Sequence, residues 1–208
     1  MHNQPYNRNP LLRASYSLIA PLYDFVVERP MRKARMRSLR ALSDGASKQV
    51  LISGAGTGLD LPWLPAPHRY TALDFNPAML AHAVRRSEKL DIGFVLGDSM
   101  DLPFADAQFD HVVLHLIVAV VPEPQRCLSE AARVLKPGGT IILFDKFLHP
   151  HQHAPLRRLL NYITRRFATR MDVVFEDALS AAPELEVASD VPALGNGWFR
   201  SIVLRKPD

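Results

Sequence analysis

The chain holds one cysteine, Cys127, among 208 residues. That excludes a disulfide framework and any Cys-rich metal site. It lacks an N-terminal apolar stretch: Met1 to Arg8 are polar apart from Met1, Pro5 and Tyr6, unlike a secretory signal. It also lacks a run long enough to cross a bilayer. The longest apolar run, Val112 to Val121, is broken by His115 and is about half the ~20 residues required. Neither charge is in large excess, with 25 Lys and Arg against 21 Asp and Glu and a net charge of +4. That balance alone does not point to nucleic acid. No repeat and no low-complexity tract is visible. The expectation is a soluble cytoplasmic protein.

What is present is ordinary globular composition, 48% apolar and 22% charged. One domain with a sizeable core is expected. Pro30 to Leu42 reads as a helix stopped by Ser43-Asp44-Gly45. Short apolar runs at Val50–Ser53, Tyr70–Leu73, Ile92–Leu96, Phe109–Leu116 and Thr140–Phe144 read as buried strands. Helices are expected after the glycines that follow the first run, over Pro77–Leu90 and over Pro124–Leu135, the last closed by Lys136-Pro137-Gly138-Gly139. Alternating strands and helices imply right-handed crossovers and a parallel sheet covered on both faces. Pro155–Met171 reads as a basic amphipathic helix. Leu185–Ala188 and Trp198–Leu204 read as two last strands, with Gly195-Asn196-Gly197 as a turn before the second.

The sharpest motif is Ser53-Gly54-Ala55-Gly56-Thr57-Gly58 at the end of the first strand. Residues without a β-carbon let the chain turn sharply and let a ligand approach the backbone. Asp74 ends the second strand, twenty positions beyond Gly54, where a carboxylate can accept both hydroxyls of a ribose. Asp74 and Asn76 also precede Pro77, so either can cap the next helix. Gly97-Asp98-Ser99-Met100 follows the third strand. Asp98 can accept an adenine amino group, with Phe75 and Met100 flanking the ring. The glycine spacing departs from the G-x-G-x-x-G of dinucleotide binders, which disfavours an oxidoreductase.

These motifs, with Leu102-Pro103-Phe104, Phe109-Asp110 and Lys136-Pro137-Gly138-Gly139, resemble the class I S-adenosylmethionine-dependent methyltransferases. The branch most resembled holds the ubiquinone/menaquinone C-methyltransferases and the bacterial phosphatidylethanolamine N-methyltransferases. The resemblance runs from about Ser15 to Leu148. It implies a Rossmann-like α/β fold: a mostly parallel seven-stranded sheet, helices on both faces and a helical N-terminal cap. It divides the chain into an arm and cap (1–46), a cofactor-binding core (47–148), and an acceptor-side helix with terminal strands (149–208). The implied cofactor is S-adenosyl-L-methionine. The implied cofactor residues are Ser53, Gly54, Ala55, Gly56, Thr57, Gly58, Asp60, Asp74, Phe75, Asn76, Asp98, Ser99, Met100 and His115. One position departs from the family: the acidic residue usual two places before the first glycine is Ile52 here. The ligand's ammonium loses a charged partner, and Asp60 or a backbone carbonyl near Val113–His115 is left to replace it.

Methyl transfer from a sulfonium needs alignment and dryness more than a dedicated base. His115, near the end of the fourth strand, either orients the acceptor or takes a proton, or is a hydrogen-bonded core histidine. Tyr16 and Tyr23 lie in a segment that resembles the family's lid, or pack in an amphipathic helix. Lys146 either faces an anionic acceptor or is solvated. His149, His151 and His153 are read as a solvated loop, and no metal site is expected. Basic residues cluster at Arg29–Arg40 and again at Arg157–Arg170, a pattern of helices that lie on anionic lipid or of solvated helix faces. A small or lipid acceptor, with peripheral contact to an anionic membrane surface, is therefore expected. Nucleic acid is disfavoured, because aromatics are few in these clusters. Within the enzyme class the leading acceptor is a phospholipid head-group amine, and the alternative is a soluble quinone precursor or other small metabolite. A non-catalytic protein of the same fold is the alternative outside that class, motivated by Ile52.

Overall fold

The strands of this chain are apolar on consecutive residues because both faces of the sheet are covered. A computed structural model describes residues 31–42, 45–148 and 173–208. Tyr16, Tyr23, the three histidines at 149–153 and the basic segment Pro155–Met171 lie outside them. The elements are α1 (31–39), β1 (Gln49–Ser53), β2 (Arg69–Asp74), α2 (Pro77–Val84) and β3 (Asp91–Leu96). They continue with β4 (Phe109–His115), α3 (Pro124–Val134), β5 (Leu135–Lys146), α4 (Phe175–Leu179), β6 (Glu186–Leu194) and β7 (Phe199–Arg205). The seven strands form one sheet in the order β3-β2-β1-β4-β5-β7-β6. The first five are parallel, and β7 runs antiparallel to both its neighbours. The expected fold class is the one observed.

Alternate residues on each strand face opposite layers. Leu51, Leu73, Val112, Leu114, Ile141, Leu143 and Ile202 pack with Cys127, Leu128 and Ala131 of α3 and with Phe175 and Ala178 of α4. Val50, Ile52, Ala72, Val113 and Ile142 pack with Leu39 of α1, with Leu42 just beyond it and with Ala83 of α2. A third cluster, built on Ala34, Phe144 and Phe199, lies where α1 meets the ends of β5 and β7.

Several boundaries differ from expectation, each for a local reason. The glycine loop leads into a short 3-10 turn, Leu61–Trp63, not an α-helix. Pro62 and Pro65 remove the donors that a helix would need there. α2 starts as expected, with the Asn76 side chain accepting from Ala78 N at 2.9 Å, but ends at Val84. Bonds of the i to i−3 kind, such as Arg86 N to Ala83 O, carry the chain from there. β5 begins earlier than expected. Leu135 pairs with Phe109 and Thr140 with His111, so Lys136–Gly139 bulge out opposite Asp110. β6 and β7 form a hairpin, and Gly195, Asn196 and Gly197 all take positive φ in its turn.

The glycine loop is held by close packing. Gly54 N and Ala55 N both donate to Leu73 O at 2.9 Å. A β-carbon on Gly58 (φ +79°) would lie 2.8 Å from the Cα of Ala83, whereas one on Gly56 (φ +56°) would meet nothing within 4 Å. Gly58→Ala is therefore expected to destabilise by roughly 2–4 kcal/mol, combining left-handed strain with overpacking. Gly56→Ala should cost about 1 kcal/mol from strain alone. Urea unfolding of the two variants checks the order, and equal costs would refute it.

Candidate active site

Strand order reverses between β1 and β4, and in such a sheet a crevice opens beyond the carboxyl ends of the strands there. Three segments reach that rim. The first is the glycine loop, where Gly54 and Gly58 turn their missing β-carbons toward Ile117 and Ala83. Within that loop Gly56 alone turns its own into open space. The second is the end of β2. Asp74 is buried, and its Oδ2 accepts from Gly56 N at 2.8 Å while its Oδ1 accepts from Asn76 N at 2.9 Å. Burial pushes the Asp74 carboxyl up, against the opposing pull of the N–H groups of Asn76, Gly56 and Phe75. Asn76 is buried too, and its Nδ2 has no hydrogen-bond partner among the described residues.

The third segment follows β3. Asp98 is half-buried and its Oδ1 accepts from Met100 N at 2.9 Å. Ser99 Oγ lies 2.8 Å from Ser53 Oγ, which ties this loop to the end of β1. Met100 is buried in the core and Phe75 is half-buried. Thr57 is buried, and its carbonyl accepts from Arg86 Nη1 at 2.7 Å. Such a rim suits an adenosyl ligand. A buried carboxylate with lone pairs to spare can take a ribose diol, an orphaned amide can donate, and the cradle at Gly56 is open. The short 3-10 turn after the loop has little dipole, which suits a ligand without a pyrophosphate.

A second buried cluster joins the cap to this rim. Arg35 of α1 donates from Nε to Asp60 Oδ1 and from Nη2 to Asp60 Oδ2, both at 2.8 Å. The same Oδ2 lies 3.1 Å from His115 Nδ1, and His115 Nε2 lies 3.1 Å from Ser38 Oγ. Burial raises the Asp60 carboxyl, but the charges and hydrogen bonds of Arg35 and His115 outweigh it and hold it well below the usual carboxylate range. An ionised Asp60 accepts a hydrogen bond from His115 Nδ1–H, which in the neutral ring leaves Nε2 to accept from the Ser38 hydroxyl. Both nitrogens of His115 are thus engaged, and the charge of Asp60 is matched by Arg35. In this arrangement Asp60 brings no net charge to stand in for an acidic residue at position 52. Ile52 itself is buried in the apolar layer under α1.

Sequence reasoning does not single out Ser38, Arg35 or Asp145 for the site. The three-residue spacing of Arg35 and Ser38, on the same helix face as Leu42, is the available signal. Asp145 is fully buried and accepts from Ala119 N at 2.9 Å, pinning the turn that follows β4. Burial pushes its carboxyl up. Cys127 is buried and its thiol is pushed well above its usual value by burial and neighbouring carboxylates. Among the described residues no three His, Cys, Asp or Glu side chains gather to hold a metal.

The Arg35–Asp60 pair yields a test. A depressed carboxyl contributes stability that is present above the unfolded pKa, near 4, and is lost as pH falls below it. Asp60→Asn should cost roughly 3–5 kcal/mol near neutral pH, because the buried Arg35 guanidinium loses the carboxylate that takes two of its hydrogen bonds. Adding Arg35→Met should recover most of that loss. Denaturant unfolding of the two variants decides, and a double variant no more stable than Asp60→Asn would refute the pairing.

A profile described as a methyltransferase domain matches residues 51–143. The chain is 32% identical to phosphatidylethanolamine N-methyltransferase of Cereibacter sphaeroides, over 86% of this chain and 89% of that protein. It is 36% identical to demethylmenaquinone methyltransferase of Renibacterium salmoninarum, over 66% of this chain but 59% of that longer protein. In fold it is similar to the N-methyltransferase NodS of Bradyrhizobium japonicum solved with S-adenosyl-L-homocysteine. The TM-score is 0.68 at 18% identity, covering 86% of this chain and 89% of that one. Among the described residues no helix is long and apolar enough to cross a membrane. The crevice at the β1/β4 reversal and these likenesses agree: the chain belongs to the S-adenosylmethionine-dependent methyltransferases, with S-adenosyl-L-methionine as its cofactor.

Proposed function

We propose that this enzyme methylates the amine of a phospholipid head group. The likeness to phosphatidylethanolamine N-methyltransferase, which spans nearly the whole of both chains, carries this reading. The exposed face of α1 supports it. Arg35, Ser38 and Leu39 turn inward, while Lys33, Met36, Arg37 and Arg40 form an exposed basic stripe with an apolar member. Each Lys or Arg near an anionic bilayer contributes about 1 kcal/mol. Peripheral binding at the cytoplasmic face of a membrane would follow. A quinone-precursor acceptor is the second reading, favoured by the 36% identity to demethylmenaquinone methyltransferase.

In this reading Asp74 accepts the ribose diol, Asp98 the adenine amine, and Phe75 and Met100 flank the ring. When bound, the cofactor supplies a methyl group on a sulfonium, and the acceptor's lone pair forms the new bond as the sulfur–carbon bond breaks. The protein's part is alignment and exclusion of water, which can be worth ~7–11 kcal/mol. The head-group amine must be neutral to attack. Tyr16 and Tyr23 are assigned to the acceptor side by resemblance alone. His115 acts as a positioning group between the cap helix and Asp60, since both its nitrogens are already engaged.

Asp74→Ala should weaken cofactor binding by about a hundredfold, the loss of two hydrogen bonds to a charged acceptor. Calorimetry with S-adenosylhomocysteine measures it, and unchanged affinity would place the ribose elsewhere. Because the Asp74 carboxyl is raised, wild-type affinity should fall at a pH above the ordinary carboxylate range, as the group protonates. Gly56→Val should block binding by filling the open space at that position, at a stability cost from left-handed strain of at least the ~1 kcal/mol expected for Gly56→Ala.

The acceptor is tested with vesicles holding phosphatidylethanolamine and an anionic lipid. Labelled methyl groups should appear in the lipid fraction, and vesicle binding should weaken as salt rises. No labelled lipid, together with no sedimentation at low salt, would remove the phospholipid reading.

A further inference from the structure

The connection between the glycine loop and β2, Leu61-Pro62-Trp63-Leu64-Pro65-Ala66-Pro67, carries no charged residue. Leu61 and Leu64 are buried in the apolar layer under α1. Pro62, Ala66 and Pro67 are exposed, and Trp63 is half-buried. The turn and the helix are fixed to each other at three points. Asp60, the residue before the turn, takes two hydrogen bonds from Arg35 of α1. Trp63 packs against the layer that holds Leu39 and Leu42. The guanidinium of Arg32 lies over the Trp63 ring, 4.5 Å from its centroid.

The helix gives this composite surface one sign of charge. Arg32, Lys33, Arg37 and Arg40 are exposed with Met36, and no acidic residue occurs from 31 to 42. The carboxylate beside them, Asp60, is buried and taken by Arg35. The turn gives it apolar area. Its prolines have no N–H, so fewer backbone donors must be stripped of water when it leaves the solvent. An indole suits a boundary where one end is apolar and the other wet. The stacked Arg32 would keep its charge over the ring, at the level of lipid phosphates. A single-stranded nucleic acid fits less well: Trp63 is the one aromatic of the helix and turn, and Arg32 covers a face that a base would stack on.

We propose that the Pro62–Pro67 turn and the exposed face of α1 form one surface that docks on an anionic phospholipid bilayer, with Trp63 entering the head-group layer. The inference rests on the phospholipid reading above and deepens it by naming the face that meets the lipid. The helix supplies an attraction that salt screens, and the turn supplies an apolar contribution that salt leaves in place. The turn follows Gly58 closely in sequence, so a bilayer held there would lie beside the loop that receives the cofactor.

Trp63 serves as the reporter, in a Trp198→Phe background that leaves it the sole tryptophan. Protein saturated with S-adenosylhomocysteine is mixed with vesicles of phosphatidylcholine and phosphatidylglycerol. The emission should shift to the blue, and phosphatidylcholine brominated high in its acyl chains should quench it. Sedimentation then measures affinity against salt. Trp63→Ala should weaken binding about tenfold at every salt concentration without changing the slope, and Trp63→Phe should stay within about threefold of the wild type. Arg37→Gln with Arg40→Gln should flatten the slope. Retained S-adenosylhomocysteine binding shows that each variant is folded. Bound protein whose Trp63 emission neither shifts nor is quenched would overturn the proposal, as would no sedimentation at low salt. Tighter binding to a single-stranded oligonucleotide than to the anionic vesicle would overturn it too. Methylation of phosphatidylethanolamine is scored in separate vesicles. Quenching without labelled lipid leaves the docking surface standing and removes the head-group amine. Labelled lipid with unquenched Trp63 does the reverse.

Discussion

Two backbone N–H groups, from Gly56 and Asn76, converge on the buried carboxylate of Asp74, and the cofactor rim is organised around that contact. It joins the end of β2 to the middle of the glycine loop across the last residues of β1. Without it, a loop of three residues with positive φ would have few reasons to keep one shape. The same carboxylate is held nearly dry, so its demand for hydrogen-bond donors is high. A ribose diol would meet that demand without a new charge being brought into the site. Structure and chemistry thus draw on one group.

A second buried charge fixes what stands over the crevice. Arg35 of the cap helix reaches the loop that follows Gly58 through Asp60, and Asp60 reaches the end of β4 through His115. The cap helix, the loop after Gly58 and the end of β4 are therefore one hydrogen-bonded unit. This is a costly device in stability terms, since a buried ion pair rarely improves on apolar packing. What it secures is register: a helix that could slide on an apolar layer is pinned at one point. Outward of the pin, the same helix keeps its lysine and other arginines on the solvent side. One short element thus meets the core through Ala34, Arg35, Ser38 and Leu39 and offers basic residues to whatever lies outside.

The alternation of strands and helices is legible because buried parallel strands are written as unbroken apolar runs. Val50–Ser53 and Phe109–Leu116 mark strands correct to a residue or so at each end. The hairpin at Gly195-Asn196-Gly197 is legible for a different reason, since its turn needs positive φ at successive residues. The glycine loop and Asp74 can be placed together because the strand order of such sheets puts consecutive ends at one rim. The helix expected after the glycine loop does not form, because Pro62 and Pro65 outweigh the usual pattern. The early start of β5 is hidden by Lys136-Pro137-Gly138-Gly139, a sequence that reads as a stop but here forms a bulge. The pairing of Arg35 with Asp60 spans 25 residues and no local rule reports it. Its arginine sits among solvated ones of the same type, where only the helix face tells them apart.

The central claim is that the open side of Gly56 and the carboxylate of Asp74 together receive an adenosyl ligand. A crystal structure of the protein with S-adenosylhomocysteine tests it most directly. The account predicts both ribose hydroxyls within hydrogen-bond distance of Asp74, and ligand atoms in van der Waals contact with Gly56. A ligand whose ribose is held by other residues, with Asp74 still facing only backbone N–H groups, would contradict it.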